Sequence, residues 1–190
     1  MQPIITPRLP RMGGMQAIQS HWPEHLHDRS SAVLLLFIPA PDSSQTAHIV
    51  FTRRSNLVRT HKGQIGFPGG RREPNDRHPS ATALRETWEE IGLHPSKVTI
   101  LGELPVMYDL DRRPIITIAG LTDVSLQELC ANPDEVAAIF SLPWELFSRD
   151  SNQMISFNLF GHWRETAYFA ASGYHIWGLT AMLLILAELE

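Results

Sequence analysis

The sequence contains very little cysteine, no long apolar run and no excess of positive charge. Its single cysteine, Cys130, excludes an internal disulfide framework and suits a reducing compartment. The most apolar late stretch, 176–189, is too short for a bilayer span, which needs about 20 residues, and the first residues lack the apolar core of a signal peptide. The net charge of −4 at pH 7 gives no general attraction to nucleic acid or to an anionic membrane. We therefore expect a cytoplasmic protein that binds neither nucleic acid nor a membrane.

The remaining composition is that of an ordinary globular protein, with 43% hydrophobic and 19% charged residues in a chain of 190 residues. This length predicts one domain with a sizeable core. Repeated proline and glycine predict an irregular N-terminal arm over residues 1–30, with one short helix near residues 16–20, and a folded domain over residues 31–190. Three histidines of the arm suggest a metal site, but they lack further ligands nearby, and we interpret them as surface residues: His21, His25 and His27.

Apolar runs separated by turn residues predict a mixed β-sheet covered by helices, which is an α/β fold. The expected strands are 31–38, 47–53, 97–104, 115–121 and a β-prone run within 132–140, followed by a hairpin of 154–160 and 163–169. A last helix is expected over residues 175–188, and it is apolar around most of its circumference. Such a helix is buried against a sheet or against a partner chain, so a homodimer is one of two alternatives.

A helix is predicted over residues 80–91, because Pro79 suits the first turn of a helix and Gly92 suits the position just past its end. At about 100° per residue, the side chains of this helix separate into an apolar face and an acidic face. The apolar face consists of Ala81, Leu84, Trp88 and Ile91, and the acidic face consists of Glu86, Glu89 and Glu90. We expect the apolar face to pack on the sheet and the three glutamates to point away from the core.

The acidic face has two interpretations. It is either a solvated surface, with Arg85 paired to Glu89 one turn later, or a site for Mg²⁺ or Mn²⁺, since hard divalent cations prefer oxygen ligands. The preceding segment, FPGG at residues 67–70, favours the metal site. Its two glycines allow the backbone to turn sharply or to approach a ligand closely. A glycine turn followed by an acidic helix is a sensible arrangement for a metal ion and a phosphate.

Residues 85–93, RETWEEIGL, resemble the second half of the Nudix box, GX5EX7REUXEEXGU. Two positions depart from this motif. Thr87 stands where the motif has an aliphatic residue. Asp76 stands where the motif has a glutamate, with eight residues rather than seven before Arg85, and we expect it to be structural or to lie outside the metal's own ligands.

Residues 50–70, VFTRRSNLVRTHKGQIGFPGG, are similar to LLTXR(S/A)X3RX3GX3FPGG, the motif of the coenzyme A pyrophosphatase branch of the Nudix hydrolases. The matching positions include Arg54, Ser55, Arg59 and Gly63. The extra residue before Arg85 also resembles this branch. The resemblance implies the Nudix α/β/α sandwich with a mixed sheet. It also implies metal-dependent hydrolysis of coenzyme A or a derivative to 3′,5′-ADP and 4′-phosphopantetheine.

The resemblance implies roles for the acidic residues and for the arginine beside them. Glu86, Glu89 and Glu90 would hold the Mg²⁺ or Mn²⁺, and Arg85 would fix a neighbouring glutamate by a charge-assisted hydrogen bond. Glu135 lies shortly before a β-prone run, where Nudix folds often have an acid that helps to hold metal or acts as the base. The alternative for Glu135 is an ordinary carboxylate at a strand edge.

Substrate contacts are expected from the basic segment and the glycine turn. Arg54 and Arg59 suit bidentate phosphate contacts, although a solvated basic loop is the alternative. Gly69 and Gly70 would shape the loop that lets the metals approach the phosphates. Tyr108 is an aromatic residue of a polar loop, where packing is a better interpretation than stacking on a base.

Three functions stay open at this stage. The first is a coenzyme A pyrophosphatase, and the second is a Nudix hydrolase of another nucleoside diphosphate derivative or of a nucleoside triphosphate. The third is a Nudix-fold module that binds a nucleotide without catalysis, although the intact glutamates argue against it. Spacing alone does not select coenzyme A over another nucleoside diphosphate derivative.

Overall fold

The computed structural model of this chain describes residues 15–18, 22, 30–41, 46–159 and 161–188. Most of the predicted N-terminal arm, including its three histidines, lies outside the described residues. Residues 15–18 are not helical: Gln16 forms an antiparallel bridge with Glu103, and its N–H donates to the Glu103 carbonyl over 2.8 Å. The helix predicted near residues 16–20 is therefore wrong at its start, because this backbone pairs with the edge of a sheet.

The central sheet has eight strands, and its middle strand comes first in the sequence. In chain order the strands are β1 (Ser31–Pro39), β2 (Ala47–Arg54), β3 (Ile65–Gly66), β4 (Gly69–Arg71), β5 (Thr99–Glu103), β6 (Met107–Tyr108), β7 (Pro114–Leu121) and β8 (Val136–Pro143). β1 pairs in parallel with β7 and antiparallel with β2 and β4, so the sheet is mixed, as predicted. The pairs β2–β3, β2–β8, β5–β7 and β6–β7 are antiparallel.

One edge of β1 changes its partner along the strand. Residues 31–33 pair with β4, whereas residues 37–39 pair with β2. Between these two ladders, the Leu34 N–H donates to the Pro68 carbonyl over 2.8 Å. The glycine turn therefore lies where β1 exchanges one neighbouring strand for another.

Side chains of β1 point into two separate cores. Leu34 and Leu36 lie in the core shared with helix α1 (Pro79–Ile91), and Leu35 and Phe37 lie in the core on the opposite face. A strand that is buried on both faces needs apolar side chains at consecutive positions, which explains the uninterrupted apolar run of β1.

The opposite core is closed by a second sheet and the last helix. The sheet contains β9 (Gln153–Leu159), β10 (His162–Ala171) and β11 (Tyr174–Trp177), and helix α2 spans Gly178–Glu188. The predicted hairpin is confirmed as β9 and β10. The last helix was predicted to begin at residue 175 and begins later, because a tight turn at Ser172 and Gly173, both with positive φ, returns the chain as a strand.

Helices α1 and α2 lie on opposite faces of the central sheet, so the predicted α/β/α sandwich is confirmed. α2 buries Ala181, Leu183, Leu184 and Ala187 against the sheets. The last helix is therefore buried against a sheet, which is the first of the two alternatives given for it. Within the part of the chain that the structure describes, neither helix has the length and apolarity of a membrane span.

Helix α1 has the predicted length but not the predicted orientation. Trp88 is 51% exposed, whereas Ala83, Thr87 and Ile91 are buried. The small side chains at the interface allow α1 to lie close to β1 and to the glycines of β4, which a tryptophan in that place would prevent. The Thr87 hydroxyl donates to the Ala83 carbonyl over 2.6 Å, so a threonine is tolerated at this buried position.

Candidate active site

The glycine turn and the last turn of α1 are joined by one hydrogen bond. The Gly69 N–H donates to Oε2 of Glu90 over 3.0 Å. Gly69 has a φ of 143°, and a Cβ at this position would lie 2.5 Å from the carbonyl oxygen of Ala32. Only glycine therefore allows β4 to begin here and to present its amide to Glu90.

The second glycine makes room for a different glutamate. A Cβ on Gly70 would lie 2.4 Å from Cδ and Oε2 of Glu86. The carboxylate of Glu86 thus occupies the space directly over the backbone of β4. Gly69 and Gly70 thus each lie against one glutamate of α1, Gly69 against Glu90 and Gly70 against Glu86.

Arg85 is the centre of an ion-pair network. Its guanidinium lies 3.0 Å from Oδ2 of Asp76, 3.1 Å from Oε1 of Glu86 and 2.9 Å from Oε2 of Glu89. It also donates to the Arg71 carbonyl over 2.8 Å. These contacts hold the pKa of Arg85 above its usual value, although burial opposes this effect. Arg85 is therefore in contact with two of the predicted metal ligands.

Asp76 is a structural acid. Its carboxylate is buried and accepts hydrogen bonds from the Thr82 hydroxyl over 2.8 Å and from the Glu73 amide over 2.9 Å. Burial alone would raise the pKa of Asp76, but the hydrogen bonds from Arg85, Glu73 and Thr82 outweigh it and lower the pKa below its usual value. Asp76 thus joins the loop before α1 to Arg85.

The expectation that all three glutamates point away from the core is wrong for Glu90, whose side chain is only 3% exposed. Burial is the main cause that raises the pKa of Glu90, to about 7. The Gly69 amide and Arg54 oppose this rise, whereas the charges of Glu86 and Glu135 add to it. The orientation of α1 explains the difference, since it turns Glu90 toward the glycine turn.

The charge of Glu135 acts on two of the predicted ligands. Burial raises the pKa of Glu86; Arg85 opposes the shift, and the charges of Glu89 and Glu135 add to it. The charge of Glu135 also adds to the raised pKa of Glu90. The side chain of Glu89 is 50% exposed and is paired with Arg85, so Glu89 lies at the outer edge of these carboxylates.

Glu135 is held in place by backbone contacts that the sequence does not reveal. The Ser55 N–H donates to the Glu135 carbonyl over 2.8 Å, and the Asn132 N–H donates to the Glu90 carbonyl over 2.9 Å. The Asn132 carbonyl in turn accepts the Glu135 N–H over 3.1 Å. This segment is therefore attached both to the end of α1 and to the end of β2. Such contacts depend on tertiary structure, so no local signal could have identified Asn132.

The two candidate arginines differ in their positions. Nη1 of Arg54 lies 3.5 Å from Oε1 of Glu90, so Arg54 belongs to the carboxylate cluster. Arg59 is exposed in the loop between β2 and β3, and among the described residues it forms no ion pair. Tyr108 is also exposed, on β6. The structure does not place Arg59 or Tyr108 against the glutamates.

Within the described ranges, no three His, Cys, Asp or Glu side chains form a group already arranged to hold a metal ion. The reason is visible in the contacts, since Arg54 and Arg85 are paired with the three glutamates of α1. The donor chemistry nevertheless fits a hard divalent cation. All donors are carboxylate oxygens; burial is the main cause that raises the pKa values of Glu86 and Glu90, and the neighbouring carboxylate charges, which a bound cation would offset, add to it.

Comparisons with known proteins agree on one family. The model of the NUDIX domain matches residues 29–159. Nudix hydrolase 22, chloroplastic, of Arabidopsis thaliana is 33% identical over 175 residues, which cover 89% of this chain and 57% of the plant protein. The mitochondrial coenzyme A diphosphatase NUDT8 of Mus musculus is 37% identical over 134 residues, which cover 69% of this chain and 64% of the mouse protein. The matches thus span less than two thirds of either relative.

A solved structure agrees with the fold. The MutT/nudix family protein from Enterococcus faecalis is 16% identical to this chain, with a TM-score of 0.53. The match covers 87% of this chain and 62% of the solved one. At this identity the similarity shows the shared architecture and nothing about the substrate.

Proposed function

Since the chain belongs to the Nudix hydrolase family, we propose that it hydrolyses the diphosphate bond of coenzyme A or of a coenzyme A derivative in a metal-dependent reaction. The products are 3′,5′-ADP and 4′-phosphopantetheine or its acyl form. One observation carries this proposal: the carboxylates of Glu86 and Glu90 lie directly against Gly70 and Gly69 of the glycine turn.

The proposed chemistry needs charge neutralisation, because the negative oxygens of a diphosphate repel a nucleophile. Bound Mg²⁺ or Mn²⁺ neutralises this charge and lowers the pKa of an attacking water. Glu86, Glu89 and Glu90 would hold the ion, and Glu135, whose charge acts on Glu86 and Glu90, would help to hold it or act as the base. Arg85 keeps Glu86 in place through its anchor on Asp76.

The assignment of the substrate rests on three observations. The mouse relative is named a coenzyme A diphosphatase. The motif of residues 50–70 resembles that of the coenzyme A branch. Coenzyme A carries a 3′-phosphate in addition to its diphosphate, and for such a polyanion Arg54 provides a guanidinium group at the site and Arg59 provides a second one in the adjoining loop. Arg54 contacts the carboxylate cluster, and Arg59 lies in the loop that follows it.

A second candidate is a Nudix hydrolase of another nucleoside diphosphate derivative or of a nucleoside triphosphate. It is favoured by the plant relative, which is similarly close in identity and is named only as a Nudix hydrolase.

The experiment that separates the candidates is a turnover panel. Coenzyme A, oxidised coenzyme A, ADP-ribose and nucleoside triphosphates are each incubated with the protein and Mg²⁺ or Mn²⁺, and a chelator serves as the control. We expect coenzyme A or its oxidised form to be cleaved fastest and the chelator to abolish cleavage. Equal or faster cleavage of any other compound would exclude the coenzyme A assignment. Nucleotide binding without turnover of any compound would favour a module that only binds.

A further inference from the structure

Arg54 and Arg85 hold the glutamates of α1 in very different ways. Arg85 has three carboxylate partners within 3.1 Å and also donates to a backbone carbonyl. Arg54 has a long ion pair of 3.5 Å with Oε1 of Glu90. Its Nε atom is buried and, among the described residues, lacks a hydrogen-bond partner. Arg85 is therefore anchored, whereas the guanidinium of Arg54 is only partly satisfied.

We propose that Arg54 is an exchangeable counter-ion of Glu90. Its guanidinium pairs with Oε1 of Glu90 until a divalent cation binds that oxygen, and it then turns to a phosphate of the substrate. This inference rests on the proposed function, because it needs both a metal ion and a phosphorylated substrate at the same site.

The competition follows from the way Glu90 is already engaged. Oε2 of Glu90 accepts the hydrogen bond from the Gly69 amide, so Oε1 is the oxygen that remains for a cation. Arg54 lies against this same oxygen. Two positive groups on one nearly buried oxygen repel each other strongly, since water and salt screen them poorly there. Metal binding at Oε1 therefore requires the guanidinium of Arg54 to move away.

Arg54 has the freedom to make this movement. Its backbone is fixed, because its N–H donates to the Gln64 carbonyl over 3.0 Å and its carbonyl accepts the Gly63 N–H over 3.2 Å. Its side chain, however, is 33% exposed and can swing toward solvent. Its buried Nε lacks a partner that the movement would break. The displaced guanidinium remains beside the metal, where the phosphates of a substrate provide its new partner.

An exchange of this kind couples metal binding to substrate binding. The metal must displace Arg54, which weakens metal binding to the free protein. Once displaced, Arg54 is available to the substrate, so the metal strengthens substrate binding. Linkage requires the reverse as well, so substrate strengthens metal binding by the same factor.

The test compares two arginine substitutions that remove the same charge. Binding of Mn²⁺ to the full chain is measured by isothermal titration calorimetry for the wild type, Arg54→Gln and Arg53→Gln. Arg53 is the preceding residue of β2, is exposed and forms no ion pair among the described residues, so its variant controls for the general loss of one positive charge. We expect Arg54→Gln to bind Mn²⁺ about tenfold more tightly than the wild type, and Arg53→Gln to stay within about twofold.

A second titration measures the coupling directly. The product 3′,5′-ADP is titrated with and without Mn²⁺, and we expect the metal to tighten its binding more in the wild type and in Arg53→Gln than in Arg54→Gln, where only the direct attraction between metal and phosphate remains. Arg54→Met removes the guanidinium while it keeps an unbranched stem, and it replaces Arg54→Gln if circular dichroism shows that the glutamine variant is unfolded. The methionine variant is expected to give the same tightening of Mn²⁺ binding.

The outcomes distinguish the inference from the function on which it rests. If the wild type and both variants fail to bind Mn²⁺, the proposed function is wrong and the exchange falls with it. If the wild type binds Mn²⁺ but the Arg54 variants bind it no more tightly than Arg53→Gln does, the exchange alone is wrong.

Discussion

The backbone amide of Gly69 donates a hydrogen bond to the carboxylate of Glu90 over 3.0 Å, which ties the start of β4 to the last turn of α1. This contact explains why a glutamate on a helix surface is nearly completely buried. It also means that the backbone of the glycine turn and the glutamates of α1 form one unit, so changes in either part are expected to alter the other.

The first prediction concerns Gly70→Ala. The new Cβ would lie 2.4 Å from the end of the Glu86 side chain, which is flexible and can move aside. We therefore expect the variant to fold with nearly unchanged stability but to lose about 100-fold in turnover, because Glu86 is misplaced. Steady-state kinetics with coenzyme A and thermal denaturation of the same sample measure both quantities.

Two neighbouring glycines serve as controls. A Cβ on Gly66 would have only an ordinary contact of 3.7 Å with Thr180, so Gly66→Ala should retain both stability and activity. A Cβ on Gly69 would lie 2.5 Å from backbone atoms at positions 32 and 33, so Gly69→Ala should lose at least about 1–3 kcal/mol of stability. Wild-type turnover by Gly70→Ala would show that the position of Glu86 is not important for the reaction.

The second prediction concerns Glu90→Gln. The amide oxygen of glutamine can accept the Gly69 hydrogen bond, so the fold is retained, but the negative charge is lost. We expect turnover to fall by about 100-fold or more, because metal ions supply several kcal/mol of transition-state stabilisation. Glu89→Gln is the matched control, since Glu89 is half exposed at the edge of the cluster, and it should lose less. Near-normal activity of Glu90→Gln would exclude Glu90 as a metal ligand.

The third prediction compares two large apolar residues of α1. Trp88→Ala should cost less than about 1 kcal/mol, because half of the side chain is exposed. Ile91→Ala should cost about 2–5 kcal/mol, because it creates a cavity in the core beneath α1. Urea denaturation of both variants measures the difference. A larger loss for Trp88→Ala than for Ile91→Ala would mean that α1 has the orientation expected from its sequence pattern.

The fourth prediction concerns acid stability. The pKa of Asp76 in the folded protein is lower than 3.8, the ordinary value for an aspartate side chain. As the pH falls, the carboxylate of Asp76 therefore takes up a proton in the unfolded chain before it does so in the folded protein. The stabilising effect of Asp76 is present above pH 3.8 and is lost as the pH falls through the folded pKa. We expect Asp76→Asn to lose about 1–3 kcal/mol at pH 7.

The acid experiment measures the free energy of unfolding of the wild type and Asp76→Asn at pH 7 and near pH 3. The difference between the two proteins should shrink at the lower pH. Asp123→Asn, which alters an exposed carboxylate, should leave stability nearly unchanged at both values. A difference between wild type and Asp76→Asn that is constant with pH would contradict the lowered pKa.

Local signals in the sequence were sufficient for helix α1 and for the long strands, but not for the short strands β3, β4, β6 and β11. Pro79 and Gly92 mark the ends of α1 because their backbone preferences act within one or two residues. The hairpin of β9 and β10 is likewise visible from two β-prone segments around Gly161. The glycines and the box glutamates are found together in the structure because they are close in the chain.

The orientation of α1 could not be predicted, because it depends on which side chains allow close approach to β1. The pattern suggested Trp88 as the buried residue, whereas the sheet accepts Ala83 and Thr87. The burial of Glu90 follows from the same orientation. Its contact with Arg54 and the attachment of Asn132 join segments that are far apart in sequence, so they appear only in the three-dimensional structure.

The division of one edge of β1 between two neighbours has a consequence for synthesis on the ribosome. β1 leaves the ribosome early, but its ladders are completed by β2, then β4 and finally β7, which ends at Leu121. A nascent chain that stops before this point has the glycine turn and the acidic helix but lacks the parallel neighbour of β1. The ladders of β1 can therefore be complete only after residue 121 has been synthesised, and a chain that ends before this point is not expected to be active.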